Sequence, residues 1–284
     1  MYYGLLTVSV IMFGIQFLFN ERYQKESGST IGSTFMISFF SNLSGLICLL
    51  VINKFQLSFT PFTFCIAFLA SICSILYNFC TLKAFEKINL SLYSIFAMLG
   101  GMLLPFIVGI LFYGEPLGVG KIVCIILITV ALFLTLDGKV QKSGTLYYMG
   151  VFVLNGMAGV FSKIFQAAPF EKTNAAGYSI WSALISMTLS LMFLFFLHKR
   201  IKKPSIRSYV YMISNGAINK VANLFLLLAL AVLPASVQYP FVTGGVMIVS
   251  TVIAFLGKNK PSKRELLSIS LAFLGTLALI VIPI

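Results

Sequence analysis

The chain has 284 residues, of which 59% are hydrophobic and only 10% charged, with 28 Phe and a mean hydropathy of +1.01. This composition lies far outside the range of soluble globular domains and places the chain in a lipid bilayer. The net charge of +13 does not imply a nucleic-acid partner. Its basic residues are strung along the edges of apolar runs, with no soluble fold to shape a groove, so anionic lipid headgroups are the expected partners.

The apolar runs are roughly 20 residues long and lack period-2 alternation, which predicts spanning helices rather than barrel strands. In the first half they run from Tyr2 to Asn20, Ile31 to Asn53, Pro61 to Thr81, Ser91 to Phe112 and Val119 to Leu136. The first has no basic start and no A-x-A cleavage pattern, so it reads as a helix rather than a signal peptide. In the second half the runs are Thr145 to Phe165, Ala175 to Leu197, Ser208 to Ala231, Ala235 to Leu256 and Glu265 to Pro283. Ten spans fill nearly the whole chain, and any chemistry is expected within the membrane.

Two glycine pairs, Gly100-Gly101 and Gly244-Gly245, stand 144 residues apart in corresponding spans. The chain therefore reads as two five-span copies, residues 1–138 and 144–284. An odd number of crossings turns the second copy over relative to the first. The expected fold class is an all-α membrane protein of ten transmembrane helices arranged as two inverted repeats, the usual plan of secondary transporters.

Lys and Arg set the expected orientation. Fifteen of the 20 lie in or beside the turns that follow spans one, three, five, seven and nine. The positive-inside rule then puts both termini outside the cytoplasm of a cell membrane. The five cysteines, Cys48, Cys65, Cys73, Cys80 and Cys124, fall inside spans of the first half and read as small apolar packing residues. No metal site is expected.

From Leu76 to Leu136 the sequence LYNFCTLKAFEKINLSLYSIFAMLGGMLLPFIVGILFYGEPLGVGKIVCIILITVALFLTL resembles the repeat of the drug/metabolite transporter superfamily, in its EamA-like branch. Gly114-Glu115 occupies the place of that repeat's Gly-Glu pair. In the second copy, from Asn223 to Ile282, Leu233-Pro234-Ala235-Ser236 and Pro240 fit the pattern, but Gly257-Lys258 replaces Gly-Glu and Phe96 stands where a proline would match Pro240. The resemblance implies a ten-helix carrier. It leaves the substrate open among amino acids, toxic compounds, sugar phosphates, nucleotide sugars and lipid-linked sugars.

Within the spans, Lys220 is the most expensive residue. It lies near the middle of the eighth run, and burying a lysine there costs roughly 2.5 to 3.5 kcal/mol unless it faces a polar cavity. None of the seven acidic residues falls in mid-span to pair with it. An unpaired ammonium can be matched by a substrate anion, or can exchange its proton and so couple occupancy to protonation.

Asn215, Asn219 and Asn223 recur every four residues on the same helix, giving a polar stripe that either lines the cavity or joins helices. Tyr77 and Asn78 sit beside Leu76, which aligns with Lys220 at the 144-residue offset, and they offer neutral hydrogen bonds from the other half. Further cavity candidates are Gln16, Asn155, Tyr93, Gln238 and Tyr239. Pro105 and Pro240 interrupt their helices and are expected to bend them.

No P-loop or other nucleotide-binding sequence is present, nor a hydrolase motif, so neither ATP-driven pumping nor an enzyme is expected, and no cofactor is called for. The expected function is secondary, alternating-access transport of a small organic metabolite, such as an amino acid or organic anion, around a cavity near Lys220. Coupling would be to protons or a counter-substrate. A flippase for an anionic amphipathic lipid and a channel are the alternatives.

Overall fold

Ten α-helices and no strand make up the described residues, which are 2–114, 118–136, 144–197, 203–230, 235–257 and 260–282 of a computed structural model. In chain order they are α1 (Tyr2–Ser27), α2 (Ile31–Ile52), α3 (Pro61–Phe85), α4 (Leu90–Tyr113) and α5 (Val119–Leu136), then α6 (Thr145–Ala167), α7 (Ala175–Leu197), α8 (Ile206–Leu230), α9 (Ala235–Leu256) and α10 (Lys263–Val281). One helix corresponds to each apolar run. Six of them, α1 to α4, α6 and α7, are long and apolar enough to cross a membrane.

Side-chain caps fix several helix starts by accepting from the backbone N–H groups that a first turn leaves unpaired. Thr30 caps α2, Thr60 caps α3 ahead of Pro61, and Asn89 caps α4. Ser262 and Glu265 form a reciprocal capping box at α10. Helices α1 and α3 outrun the apolar stretches that announce them. The apolar run of α1 stops near Asn20, but the backbone continues helically through Glu21 and Lys25, which pair at 2.6 Å one turn apart, until Gly28 takes a positive φ of 71°. Hydrophobicity ends where the bilayer does, whereas a helix ends where its hydrogen bonding is interrupted.

The main packing runs between the two halves of the chain. Helix α1 lies against α8 and α9, α2 against α7 and α8, α3 against α6 and α7, α4 against α6 and α9, and α5 against α10. Small residues permit the closest of these approaches. At Gly100 a side chain would collide with the backbone of Phe152, and at Gly156 a methyl would come within 2.6 Å of the Gly100 carbonyl, so α4 and α6 meet nearly backbone to backbone. In the second glycine pair, Gly245 faces Val10 of α1 and Gly244 faces Phe273 of α10.

The largest core cluster sits where these helices converge, around Phe96, Leu99, Tyr93, Tyr148 and Ile128. Large apolar side chains also cover the outside: Phe195, Phe196, Leu111, Phe112 and Leu256 are among those that stand exposed. That surface is unfavourable in water and suited to lipid tails.

Hydrogen bonds identify the two ends of the bundle. At one end Ser27 and Ser208 hydroxyls meet at 2.8 Å, Ser205 Oγ donates to Glu26 Oε1 at 2.8 Å, and Asn89 Nδ2 donates to Glu265 Oε2 at 2.8 Å. The same end carries Arg22, Lys25, Lys83, Lys87, Lys203, Arg207, Lys263 and Arg264, which make it the basic end of the bundle. At the opposite end Thr173 N donates to Thr63 Oγ1 at 3.1 Å, and Trp181 Nε1 donates to the Ser58 carbonyl at 2.8 Å.

Candidate functional site

Helix α8 does not pack against α3 or α6, which pack against each other, and a cavity with two adjoining parts lies between them. Each part has a volume of about 220 Å³. Tyr77, Asn155, Ser162, Asn219 and Asn223 line both and stand at their junction. The first part extends between α1, α4 and α9, where Phe13, Phe17, Met98, Leu226 and Val242 make it mainly apolar. The second extends toward α7 and holds Lys220 with Ser74, Ser182 and Tyr178.

Lys220 is held by shape rather than by charge. Its aliphatic stem crosses Gly45 of α2, where any side chain would collide with Cγ. Among the described residues no hydrogen bond or ion pair engages its ammonium, and no acidic side chain lines either part of the cavity. A lysine amine left unpaired inside an apolar bundle is costly unless a polar or anionic group meets it.

The carboxamides around it are oriented by the protein. Asn223 Nδ2 donates to the Asn219 carbonyl at 2.8 Å, one turn back on α8. Asn155 Nδ2 donates to the Ala97 carbonyl at 2.6 Å, tying α6 to α4, and Gly101 leaves room for that amide. Gln16 Nε2 donates to Asn215 Oδ1 at 2.7 Å, and Asn215 Nδ2 passes the chain on to Ser41 Oγ at 2.9 Å, which donates to the Met212 carbonyl at 2.9 Å. This relay joins α1, α8 and α2 beside the cavity. The asparagine stripe thus divides: Asn219 and Asn223 line the space, and Asn215 fastens helices.

Other expected site residues take different places. Tyr77 lines the cavity, and its hydroxyl lies 2.6 Å from that of Tyr93, which also contacts Thr81 Oγ1 at 3.1 Å. Tyr93 itself is 0% exposed and lines neither part, so it supports Tyr77 from behind. Asn78 points away, its Nδ2 donating to Ser38 Oγ of α2 at 3.1 Å. Pro105 is buried in α4 against Gly159 of α6. Lys163 sits over the Tyr113 ring at 5.5 Å, toward the opposite end. Pro240 lies within α9, while the side chains of Gln238, Tyr239 and Pro240, and all of Glu115, fall outside the described residues.

Sequence reasoning passed over the hydroxyls of Ser74, Ser162, Ser182 and Thr243, all in the cavity wall. Serines in apolar helices usually bond back to a carbonyl one turn earlier, as Ser162 does to Ala158 at 3.0 Å, so the residue type alone is ambiguous. Ser74 and Ser182 make no such bond among the described residues. No three His, Cys, Asp or Glu side chains among the described residues gather as metal ligands.

Both parts of the cavity reach toward one end only. Their walls climb through Ser162 and Gln166 at the end of α6, Tyr178 at the start of α7 and Leu226 near the end of α8, all at the opposite end. At the basic end Tyr23, Ile37, Leu82 and Met212 close into a buried cluster, and Ser91 meets Thr251 at 3.2 Å.

No family model matches the chain, and no curated protein matches it in sequence. A protein known from its crystal structure superposes with a TM-score of 0.64 at 12% identity, over 95% of each chain. The likeness shows a shared fold.

Proposed function

We propose that this chain is a secondary transporter of the drug/metabolite type, with ten membrane crossings in two inverted five-helix repeats. One observation carries the reading: a part-polar, part-apolar cavity with Lys220 as its one cation among the described residues, walled by helices from both halves, whose lining runs from mid-bundle toward one end while buried side chains pack together at the other. A carrier needs such a space, accessible from one side at a time.

The packing scheme supports the repeat. Exchanging each helix with the one five places along turns the contact of α1 with α8 into that of α6 with α3, α2 with α8 into α7 with α3, and α4 with α6 into α9 with α1. The pairs α2 with α7, α4 with α9 and α5 with α10 map onto themselves. Residues 1–138 and 144–284 are the two copies in this reading. By the positive-inside rule the basic end is cytoplasmic, both termini are outside, and the cavity faces outward. The buried cluster at the basic end speaks against a channel, which needs a continuous path.

The substrate is a small organic metabolite such as an amino acid or organic anion, and its movement is driven by proton or counter-substrate gradients. Counterflow into proteoliposomes preloaded with unlabelled amino acids, organic acids or sugar phosphates tests this. Saturable, ATP-independent uptake of a labelled metabolite supports the carrier. Linear, non-saturating flux would make it a channel, and movement of a labelled anionic lipid without solute flux would make it a flippase.

A further inference from the structure

We propose that the cavity selects an organic monocarboxylate with an apolar body and no cationic group, and that it discriminates against amino-acid zwitterions and amines. This deepens the transport reading and rests on it for the claim that the bound molecule is carried.

Charge balance is the first step. The wall has one cation, Lys220, and no acidic side chain among the described residues, so one negative charge brings the occupied site to neutrality. A zwitterion would neutralise Lys220 with its carboxylate but add an ammonium that no side chain there can offset. Where a bound molecule displaces the cavity's water, an uncompensated charge is strongly penalised. A simple amine would add a second positive charge beside Lys220 and bring none to balance it.

Hydrogen-bond supply gives the second. Near Lys220 the hydroxyls of Ser74 and Ser182 make no hydrogen bond among the described residues and can donate to carboxylate oxygens. Farther along, Asn155, Asn223 and Gln16 each commit an amide nitrogen to the protein, leaving their oxygens as acceptors. Those oxygens suit a neutral donor such as a hydroxyl next to the carboxylate. Beyond the junction, Phe13, Phe17, Met98, Leu226 and Val242 provide an apolar chamber. The order of the wall, from cation through acceptors to hydrocarbon, is that of a branched or aromatic 2-hydroxy acid.

The test uses three acids on one skeleton, 2-hydroxy-4-methylpentanoate, 4-methylpentanoate and leucine, with isoamylamine, the amine that leucine becomes without its carboxyl group. Each is titrated into the purified full-length protein in detergent, with thermal stability as the readout, since a ligand of the folded state raises it by mass action. The hydroxy acid is expected to bind, the plain acid a few-fold more weakly, and leucine and the amine not measurably. Lys220→Gln is expected to weaken both acids on the order of ten- to a hundredfold, the usual value of a charge-assisted hydrogen bond. Should that variant not fold, Ser74→Ala with Ser182→Ala is expected to weaken them about tenfold.

The proposal is overturned if leucine binds as tightly as the acids, if neither acid binds the folded wild type, or if the folded Lys220 variant, or failing that the serine pair, leaves affinity unchanged. Counterflow separates this from the broader reading. Lys220-dependent binding of the acids without flux would leave the site standing and remove transport, whereas saturable leucine flux without acid binding would keep transport and remove the class.

Discussion

Lys220 lays its stem across Gly45, so the position of the cavity's one cation depends on the absence of a side chain on a neighbouring helix. A methyl at residue 45 would collide with Lys220 Cγ and lie 3.1 Å from the Gly216 carbonyl, at a crossing where α2 and α8 are already close. Either the lysine swings away or the helices part.

Gly45→Ala is therefore expected to act more on binding than on folding. Overpacking costs about 1–3 kcal/mol, while replacing glycine within a helix returns about 1 kcal/mol in propensity. The melting temperature should fall modestly, and affinity for the site's ligand by roughly tenfold, about 1.4 kcal/mol, as the ammonium is displaced. Unchanged binding in a titration of the variant would show that Lys220 reaches the cavity along another path.

Tyr77 and Tyr93 should behave as one unit. Tyr93 is buried and touches no part of the cavity, yet its hydroxyl lies 2.6 Å from that of Tyr77. Removing it leaves the hydroxyl of a cavity-lining residue without its partner, at a cost of about 1 kcal/mol. Tyr93→Phe is expected to lower ligand affinity several-fold, and Tyr77→Phe with Tyr93→Phe to lose less than the two single changes together. A double-mutant cycle measures this coupling; strict additivity would mean that the pair is packing alone.

How much of this was legible in the sequence follows from which signals are local. Apolar run length gave the ten helices, because lipid solvation acts on each segment separately. Lys220 was legible for a related reason, since a mid-run ammonium is costly wherever the helix turns. The roles of Tyr93, Asn78 and Asn215 were not, because the same polar residue on an apolar helix faces either a cavity or a neighbouring helix. Only the packing of α1, α2 and α8 decides that Asn215 fastens while Asn219 lines. The serines of the Lys220 chamber were hidden by their frequency in such helices.

Asn215 gives the contrasting, structural prediction. It accepts from Gln16 and donates to Ser41 at the meeting of three helices. Asn215→Leu strands the buried Gln16 amide, at about 1–3 kcal/mol, and removes a donor from Ser41, which keeps its bond to the Met212 carbonyl. Thermal melts in detergent should show a large loss of stability, while variant protein that remains folded should keep ligand affinity within a few-fold of wild type. A loss of binding without a loss of stability would instead move Asn215 into the site.

Access from one end only can be tested in intact cells. Ser162 lines both parts of the cavity, whereas Ser91 is fully buried at the basic end against Thr251. In a background with Cys65, the exposed cysteine, changed to Ala, Ser162→Cys and Ser91→Cys are exposed to a membrane-impermeant maleimide added outside. With the cavity facing outward, Ser162→Cys should react and Ser91→Cys should not. Protection of Ser162→Cys by ligand would place that ligand in the cavity. Labelling of Ser162→Cys only in inside-out vesicles would reverse the orientation and put both termini in the cytoplasm, while leaving single-ended access intact. Equal labelling of both positions from one side would mean a continuous path, and with it a channel rather than a carrier.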